Sequence, residues 1–510
     1  MIGIPAFGET AFFDNRITDD FRVVLLENVS ADRFHKYCRL LQSEGFRVEE
    51  ETLPHRSFAA CQKGSTGIFI NYFANTAQLQ LVLEENCSYF DFRDVGGEDC
   101  VTPRVTQLNL SDYGLSDVIR LPDGRLIIID GANVYEQDVD NLFARLKTDS
   151  PFEKPVIAAW IMTHPHSDHY FCFFPFMGKY AQEVVIEKML YNFPHHGDLA
   201  HYPKLEMEVK SFARWSGKEG ITAAEVLRMF WEMVADLKIP VYTPHTGQRY
   251  QIGDAKLQFF ATIDDTVHHC QNINATSLMF SMELAGQKLF FGGDGSCSDA
   301  RLAERYGSEL KSDILQVPHH GFGCGTAQGE MLAYRQIAAP VCLLPVEKHL
   351  AYSAFTTYRA GTNFLMTQMG VRQLLTGSEE QTLELPYTPT PDGAAQLQRD
   401  YQRGREADGA LTWVFADLHT GREADYWFSI LNATYFDADI TAELFFEDVA
   451  KKIIRHKITG PRLGVFRVNC LPDSEVEIPE NTRFAVRFIS SIPVVISHPD
   501  HSCAYRSSVV

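Results

Sequence analysis

The pattern of apolar and polar positions divides the 510-residue chain into three regions joined by a connector. In the first region, residues 1–102, short strand-like apolar runs surround one amphipathic stretch that extends from Ala31 to Glu44. Apolar residues recur in this stretch at helical spacing, and Gly45 follows as a residue typical of a helix end. We therefore predict a small α/β region in which one helix packs across a sheet.

The middle region, residues 103–387, interleaves apolar runs of strand length with stretches of helical periodicity. Its first strands are predicted to form a hairpin that turns at Asp123-Gly124, because Asp-Gly is a favoured two-residue turn. A buried-strand run at Val156–Met162 and a helix that begins after the N-cap residue Thr222 follow. This alternation of strands and helices predicts an α/β domain with layered sheets and helices.

Strand patterns dominate the third region, residues 410–510, for example in Phe484–Ile489. They predict a C-terminal β-sandwich domain. Residues 388–409 contain many Gln, Arg and Asp residues next to a Pro-rich joint, so we predict a helical or loose connector there. A packing or oligomerisation role is the simplest expectation for the C-terminal domain. A homo-oligomer is therefore one of the possible states of the protein.

Charge and composition narrow the classes of partner. The formal net charge is −20, and an acidic protein repels nucleic acid at long range, so a stable nucleic-acid complex is not expected. No apolar run reaches the roughly 20 residues of a membrane-spanning helix, and the start shows no signal-peptide pattern. The 11 cysteines are scattered and odd in number, as expected for reduced thiols. We expect a cytoplasmic protein with a small-molecule substrate and no membrane partner.

The strongest chemical signal is the run Thr163–His169, of sequence THPHSDH. It places four metal-binding side chains within six positions, directly after the predicted buried strand, and imidazole and carboxylate groups suit a divalent ion such as Zn²⁺. His164 and His166 can point to one side of the loop. Asp168 and His169 lie where the chain enters the next element and can face a second ion. The density and order of these residue types favour a metal site over a merely polar loop.

Two further motifs deliver ligand-type residues from strand ends. Asp294 follows an apolar strand and lies between Gly293 and Gly295, which allow close packing and can expose its carboxylate as a bridge between two cations. His319 and His320 follow a second short apolar strand and precede a glycine. Each motif alone is also compatible with an ordinary turn. Beside the THPHSDH run they extend the predicted metal site.

The order of these motifs resembles the metallo-β-lactamase fold superfamily. Asp130, the THPHSDH run, Asp294 and the His-His-Gly ending follow one another as they do in that superfamily. The ending is similar to the branch found in DNA-uptake competence proteins and choline-phosphate esterases. The likeness spans roughly residues 103–387. It implies an αββα sandwich with two metal ions at one edge of the facing sheets.

The resemblance implies a role for each residue of the first two motifs. His164 and His166 would bind the first metal. Asp168 and His169 would bind the second metal, and Asp168 would also orient the attacking hydroxide. Asp294 would bridge the two ions.

The remaining motif residues would act around these ligands. His319 would complete the second metal site, because it is nearer the strand end. His320 would then contact the substrate and donate a hydrogen bond to the developing oxyanion, although the reverse assignment of the two histidines stays open. Asp130 would orient the histidine loop from behind the ligands.

One expected ligand has no clear counterpart. Many members of the superfamily carry a further histidine between the first motif and the bridging aspartate. His269 is our first choice for this position, and His268 or His245 can fill it instead. If none of them does, the first metal position is short of a ligand, and its occupancy is weak or depends on substrate. Weaker candidates are His195, His196 and His201.

Two cations about 3.5–4 Å apart lower the pKa of a shared water and stabilise negative charge on the attacked group. We therefore predict a metallohydrolase that uses a dinuclear-metal-activated hydroxide. The expected cofactors are two divalent ions, Zn²⁺ first and Mn²⁺ or Fe²⁺ as alternatives. The His-His-Gly resemblance favours a small phosphoester or phosphodiester substrate. A carboxylic ester, lactone or amide is the alternative, and redox chemistry with iron is a distant third.

A non-catalytic sensing or binding protein with a degenerate metal site is the alternative of a different class. The stretch Phe488–His498 resembles β-sandwich modules of sensory rhodopsin transducers. On this alternative the C-terminal module would be the working part. Metal content separates the two classes, because the enzyme needs close to two bound ions.

Overall fold

The fold is taken from a computed structural model of the chain. Two compact units make up the chain, Met1–Val346 with Thr367–Thr390 and Glu347–Met366 with Pro391–Val510. The predicted N-terminal region and most of the middle region thus lie in one unit, while residues 347–366 of the middle region belong to the other. The residues that the structure describes are 13–16, 20–53, 55–112, 114–194, 209–265, 272–295, 300–322, 332–347, 350–351, 365, 369–390, 393, 395–396, 409–419, 427–432, 437–447, 449–459, 462–467, 482–498 and 504–507.

The N-terminal region is an antiparallel sheet with one helix on its face. Its elements are β1 (Phe13–Arg16), β2 (Phe21–Leu26), α1 (Ala31–Ser43), β3 (Arg47–Thr52), β4 (Arg56–Lys63), β5 (Thr66–Phe73) and β6 (Gln78–Glu84). The strand order is β1-β2-β6-β5-β4-β3. The side chain of Ser30 caps α1 by accepting the Arg33 backbone N–H, and Phe34 and Leu41 on its apolar face pack into the sheet. The predicted α/β region is confirmed.

The middle region begins with a mixed sheet, called the first sheet below. Its strand order is β13-β12-β10-β9-β8-β7. Its strands and helices are β7 (Arg104–Gln107), β8 (Ser116–Arg120), β9 (Leu126–Asp130), α2 (Glu136–Asp149), β10 (Val156–Ile161), α3 (Ser167–Tyr170), α4 (Phe173–Tyr180), β11 (Val185–Ile186), β12 (Met189–Leu190), α5 (Lys210–Ser216), α6 (Ala223–Asp236) and β13 (Val241–Tyr242).

The second sheet follows the order of the sequence from β14 to β20. Its elements are β14 (Arg249–Ile252), β15 (Ala255–Ala261), β16 (Met279–Leu284), β17 (Gln287–Phe291), α7 (Ala300–Tyr306), β18 (Ile314–Gln316), α8 (Leu332–Ile337), β19 (Val341–Leu344) and β20 (Gln373–Thr376). A last strand, β21 (Gln381–Glu384), returns to pair with β7 at the edge of the first sheet.

The two sheets face each other across a shared apolar core. Ile127 and Ile129 of β9 lie in this core together with Phe259 and Phe280 of the second sheet. Ile128 points the other way, into the cluster formed with α2, α4 and α6, because side chains alternate between the faces of a strand. Outside the second sheet, the ring of Tyr306 on α7 packs edge-on against Phe260. The predicted αββα sandwich is confirmed.

The C-terminal domain consists of strands around its own core. Its elements are β22 (Ala410–His419), β23 (Trp427–Asn432), β24 (Ala438–Phe446), β25 (Lys452–Ile458), β26 (Arg462–Arg467), β27 (Arg483–Ser497) and β28 (Tyr505–Ser507). The long strand β27 pairs with β22 and β24 along its first part and with β23 near its end. Phe428, Phe466 and Phe488 meet in the core. The predicted β-rich C-terminal domain is confirmed.

Membrane-spanning helices were not expected from the hydropathy of the sequence. Within the described ranges, no helix combines the length and the apolar character that crossing a membrane requires.

Candidate metal centre

Strand ends from both sheets meet at one edge of the sandwich. In the first sheet, the parallel neighbours β9 and β10 end at Asp130 and just before the THPHSDH run. In the second sheet, the parallel neighbours β17 and β18 lead to Asp294 and to the His-His-Gly turn, Pro318–Gly321. A backbone hydrogen bond of 2.9 Å from Leu278 N–H to the Thr163 carbonyl joins the two sheets there. The topology therefore brings all of these motifs to one place.

Asp168, His169, Asp294 and His320 form one cluster, which we call the second metal position. Their ligand atoms lie within 4.8 Å of one another. His169 Nε2 is 3.2 Å and His320 Nε2 is 3.5 Å from the same oxygen, Asp294 Oδ1. His320 Nε2 is also 3.3 Å from Asp168 Oδ2. Two imidazoles and two carboxylates make a complete ligand set for a four-coordinate divalent ion.

His164, His166 and Asp294 form the neighbouring cluster, the first metal position. Their ligand atoms also lie within 4.8 Å of one another, and all three side chains are buried. His164 Nε2 is 3.9 Å from Asp294 Oδ2. Asp294 thus presents Oδ1 to the second position and Oδ2 to the first, which is the arrangement of a carboxylate that bridges two ions.

Several buried ligand-type atoms of the centre make no well-directed hydrogen bond to any residue that the structure describes. They include His164 Nε2, His169 Nε2 and Asp294 Oδ1. Burying such atoms without a partner is costly, by roughly 1–3 kcal/mol for each neutral group. A pair of divalent ions would satisfy these atoms together. The donor set therefore fits two such ions.

Asp130 lies behind the second metal position. Its Oδ2 accepts hydrogen bonds from His169 Nδ1 at 2.8 Å and from Thr163 Oγ1 at 2.7 Å, and its Oδ1 accepts the Thr163 backbone N–H at 2.7 Å. These bonds place the His169 proton on Nδ1 and leave Nε2 for the metal position. The residue itself is in the left-handed region, with φ 55°.

The two metal positions differ in their electrostatics. Burial lowers the pKa of His164, and it lowers the pKa of His166 to about 4, so both rings are neutral near pH 7. Burial acts in the same direction on His320, but the carboxylates of Asp294 and Asp168 outweigh it and raise the pKa of His320 to about 9. Neutral imidazoles are ready to bind a metal, whereas the second position carries carboxylates whose charge attracts a cation.

The two histidines of the His-His-Gly turn occupy different places. His320 belongs to the second metal position, while His319 Nε2 lies 4.0 Å from Asp294 Oδ2, outside both clusters. The distances thus favour the reverse of the sequence-based assignment, which made His319 the ligand and His320 the substrate contact. Both histidines are left-handed, with φ 53° and 52°, and the turn they form brings His320 beside Asp168 and Asp294.

The third histidine of the first metal position is not found among the described residues. His245 is buried elsewhere, with Nδ1 3.0 Å from Asp264 Oδ2 and Nε2 3.5 Å from Glu84 Oε2. His268 and His269 lie outside the described residues. The described part of the chain therefore supplies three ligands to this position. The weaker candidates that also lie outside the described residues are His195, His196 and His201.

Asn274 is a residue of the centre that the sequence analysis missed. It lies in the short turn Ile273–Thr276, directly before β16, and its Nδ2 is 3.0 Å from His319 Nε2. Its Oδ1 is buried, and none of the described residues donates a hydrogen bond to it. The amide side chain of asparagine is not a typical metal ligand, so the residue type did not point to the centre. The available signal was its position just before a buried strand.

Residues 409–504 match the sequence model of the family described as Anabaena sensory rhodopsin transducer. The match confirms, over most of the C-terminal domain, the resemblance that Phe488–His498 indicated. None of the curated proteins compared with the chain matches it.

Solved structures similar to parts of the chain include proteins of several kinds. The metallo-β-lactamase fold protein YhfI from Bacillus subtilis is 12% identical over 55% of this chain and 99% of its own, with a TM-score of 0.33. CmlA, a diiron β-hydroxylase from Streptomyces venezuelae, is 11% identical over 70% of this chain and 79% of its own, with a TM-score of 0.33. The Anabaena sensory rhodopsin transducer is 26% identical over 18% of this chain and 89% of its own, with a TM-score of 0.17. We transfer no activity from these structures.

Proposed function

We propose that the chain is a metal-dependent hydrolase of the metallo-β-lactamase fold superfamily with a dinuclear metal centre. The observation that carries the proposal is the position of Asp294, whose two carboxylate oxygens face two adjacent clusters of buried ligand-type atoms. Two divalent ions bound there would acidify a shared water and neutralise charge on the attacked group. Zn²⁺ suits the histidine-rich donors best, and Mn²⁺ or Fe²⁺ are alternatives.

The side chains around the centre differ in exposure, and this difference supports different tasks for them. The side chain of Asp168 is 22% exposed, whereas those of His169 and Asp294 are at most 3% exposed. Asp168 therefore borders the side from which water and substrate enter, and its carboxylate can orient a water molecule there. Asp130 is fully buried and holds His169 from behind. The buried ligand-type residues would hold the ions, and the partly exposed carboxylate would meet the reactants.

A small phosphoester or phosphodiester is the substrate class that we favour. The His-His-Gly ending is similar to that of choline-phosphate esterases, and a pair of cations attracts an anionic ester. The formal net charge of −20 repels a long polyanion, which favours a small substrate over nucleic acid. A carboxylic ester or lactone would use the same metals but would lack the charge attraction.

Hydrolysis of a substrate panel by the metal-loaded protein tests this function. The panel contains an aryl phosphodiester, an aryl phosphomonoester, an aryl carboxylic ester and a lactone. We expect turnover of a phosphoester that falls at least about 100-fold on chelation and in His166→Ala and Asp168→Asn. The exposed His419 supplies the control variant His419→Gln, which should keep full activity.

Other outcomes of the panel would correct the proposal. Turnover of the carboxylic ester or lactone alone would keep the hydrolase and overturn the substrate class. No turnover of any substrate by protein that holds two metal equivalents would overturn the hydrolase.

The family match of residues 409–504 favours a second candidate, a sensing or binding protein. In this case the C-terminal domain would carry the sensing or binding function, and the metal centre would be degenerate and without catalytic activity. A chain that binds one metal equivalent or less and hydrolyses nothing in the panel would support this candidate.

A further inference from the structure

We propose that Asn274 and His319 form the anion-binding side of the metal centre. His319 contacts the anionic group of the substrate through its Nδ1–H, and Asn274 holds the ring in position by donating an amide N–H to His319 Nε2. This inference rests on the proposed function, since the anion is that of a phosphoester. It adds a residue that neither the motifs nor the superfamily resemblance indicated.

His319 lies at the open side of the centre. Its side chain is 35% exposed, compared with 6% for His320 and 3% for Asp294. Its Nε2 is nevertheless only 4.0 Å from Asp294 Oδ2, the oxygen that faces the first metal position. A substrate that reaches the metals from solvent therefore passes this ring, and its anionic group meets the ring beside the three-ligand position.

The backbone and the neighbours of His319 hold its ring in a defined place. Its backbone N–H donates to the Gly293 carbonyl at 3.0 Å, which ties the turn to the residue before Asp294. The ring of Phe322 packs edge-on against the His319 ring, with centroids 5.2 Å apart. Left-handed residues such as His319, with φ 53°, persist where the surroundings enforce them, which is frequent at functional sites. The ring is thus preorganised before substrate arrives.

Asn274 provides the contact on the other side of the His319 ring. The two side chains are joined at 3.0 Å, from Asn274 Nδ2 to His319 Nε2. The Asn274 backbone N–H in turn donates to the side chain of Asn272 at 3.2 Å, which fixes the turn. Asn274 Oδ1 is buried and accepts no hydrogen bond from the described residues, so its amide N–H makes the contact to the described part of the centre.

Phosphate binding to the metal-loaded protein tests this inference. Titration calorimetry with inorganic phosphate would compare the wild type with His319→Ala, Asn274→Ala and the double variant, each with its metal content measured. A hydrogen bond to a charged group contributes about 1.5–3 kcal/mol, so each single variant should bind phosphate about 10- to 100-fold more weakly. All variants should keep two metal equivalents, because neither residue is a ligand.

Two further variants separate positioning from general damage to the fold. If Asn274 acts through His319, the double variant should bind phosphate about as weakly as His319→Ala alone. His319→Gln keeps an N–H donor and should recover most of the lost affinity, and His419→Gln should bind as the wild type does.

The remaining outcomes overturn the inference in distinguishable ways. Loss of a metal equivalent in His319→Ala would make His319 a ligand instead of an anion contact. Unchanged phosphate affinity in either single variant, or a wild type that holds two metals but does not bind phosphate, would remove the anion site and leave the dinuclear centre standing. A wild type with fewer than two metal equivalents would overturn both the proposed function and this inference.

Discussion

At the scale of the residue, Asp130 is the side chain that we expect to set metal affinity from behind the ligand-type atoms. It is fully buried and accepts three hydrogen bonds, from His169 and twice from Thr163. Asp130→Asn would place an amide N–H against at least one of these donors. We expect metal affinity at the second position to fall about 10- to 100-fold, as is typical for such supporting partners.

Competition with a chromophoric chelator would measure the effect of Asp130→Asn. Asp138 is a matched control, because it is also buried and accepts hydrogen bonds from Ser111, away from the metal centre. Asp138→Asn should leave the affinity unchanged. Equal metal affinities of the Asp130→Asn variant and the wild type would show that Asp130 does not orient the ligand.

Gly293, directly before Asp294, has a backbone that requires glycine. Its φ is +52°, and an added Cβ would lie 2.7 Å from Thr163 Oγ1. Gly286 has φ +77° with nothing within 4 Å of the same added atom, so Gly286→Ala measures the backbone cost alone. We expect Gly286→Ala to lower the free energy of unfolding by about 1 kcal/mol and Gly293→Ala by about 3 kcal/mol.

Urea denaturation of the metal-free protein would compare the two glycine variants. The metal-free form is used because it separates stability from metal binding. Equal decreases in the free energy of unfolding for Gly293→Ala and Gly286→Ala would mean that the second sheet can shift away from Thr163 without loss of stability.

The motif residues of the centre could be predicted from the sequence. Which of His319 and His320 lies in the metal-binding cluster could not. The THPHSDH run and Asp294 have residue types and spacing that are specific to metal sites, and the structure brings them together. The order of His319 and His320 depends on two left-handed residues, a conformation that residue type does not reveal. Asn274 acts through a contact between distant parts of the chain, which no local pattern encodes.

At the scale of the element, long periodic segments could be predicted closely. The helix predicted after Thr222 is α6, and Thr222 and Glu225 form its capping box. The predicted helix from Ala31 to Glu44 is α1. Strand β21 was missed, because an edge strand with Leu383 as its buried residue lacks a strand-like apolar pattern. An element whose buried residues recur at regular spacing can be predicted from the sequence, whereas a mostly exposed edge strand cannot.

His245 links the N-terminal sheet to the second sheet and makes stability depend on pH. It lies between Asp264 and Glu84 of β6, and its ring stacks on Phe21 and Phe69. Burial alone would lower the pKa of His245, but the two carboxylates raise it from the ordinary 6.5 to about 10. The folded protein therefore keeps a proton that the unfolded chain loses above pH 6.5. This contribution to stability is complete below pH 6.5 and is lost as the pH rises towards 10.

The free energy of unfolding at pH 6, 8 and 10 would test this link. The wild type should lose stability over this range, by no more than about 5 kcal/mol from this group. His245→Gln should be less stable at pH 6 and should show a flatter profile. The control His419→Gln should follow the wild type. Parallel profiles for His245→Gln and the wild type would contradict the assigned pKa.

At the scale of the whole molecule, two units have separate cores. The ligand-type residues of the metal centre all lie in the unit that contains Met1–Val346, while Phe428 and Phe488 belong to the core of the C-terminal domain. The sequence analysis placed a change of pattern near residue 410, whereas the second unit begins its main part at Pro391 and also contains Glu347–Met366. The sequence also predicted a border near residue 102, which in the structure separates sheets within one unit.

Metal binding should therefore stabilise one unit selectively. Scanning calorimetry of the full chain should show one unfolding transition whose midpoint temperature rises with added metal. At a metal concentration of 100 times the Kd, this corresponds to about 2.7 kcal/mol of added free energy of unfolding. The transition of the other unit should not move. Phe488→Ala identifies that transition, because the lost core ring should lower it alone. Equal shifts of both transitions with metal would show that the two units unfold together.

The stoichiometry of bound metal tests the dinuclear centre most directly. The purified chain would be saturated with Zn²⁺, dialysed and analysed by mass spectrometry of the elements, beside Asp294→Ala and the control His419→Gln. We expect two equivalents in the wild type and in the control, and at most one in Asp294→Ala, since its carboxylate faces both positions. One equivalent or less in the wild type, or two equivalents that survive Asp294→Ala, would contradict a centre bridged by Asp294.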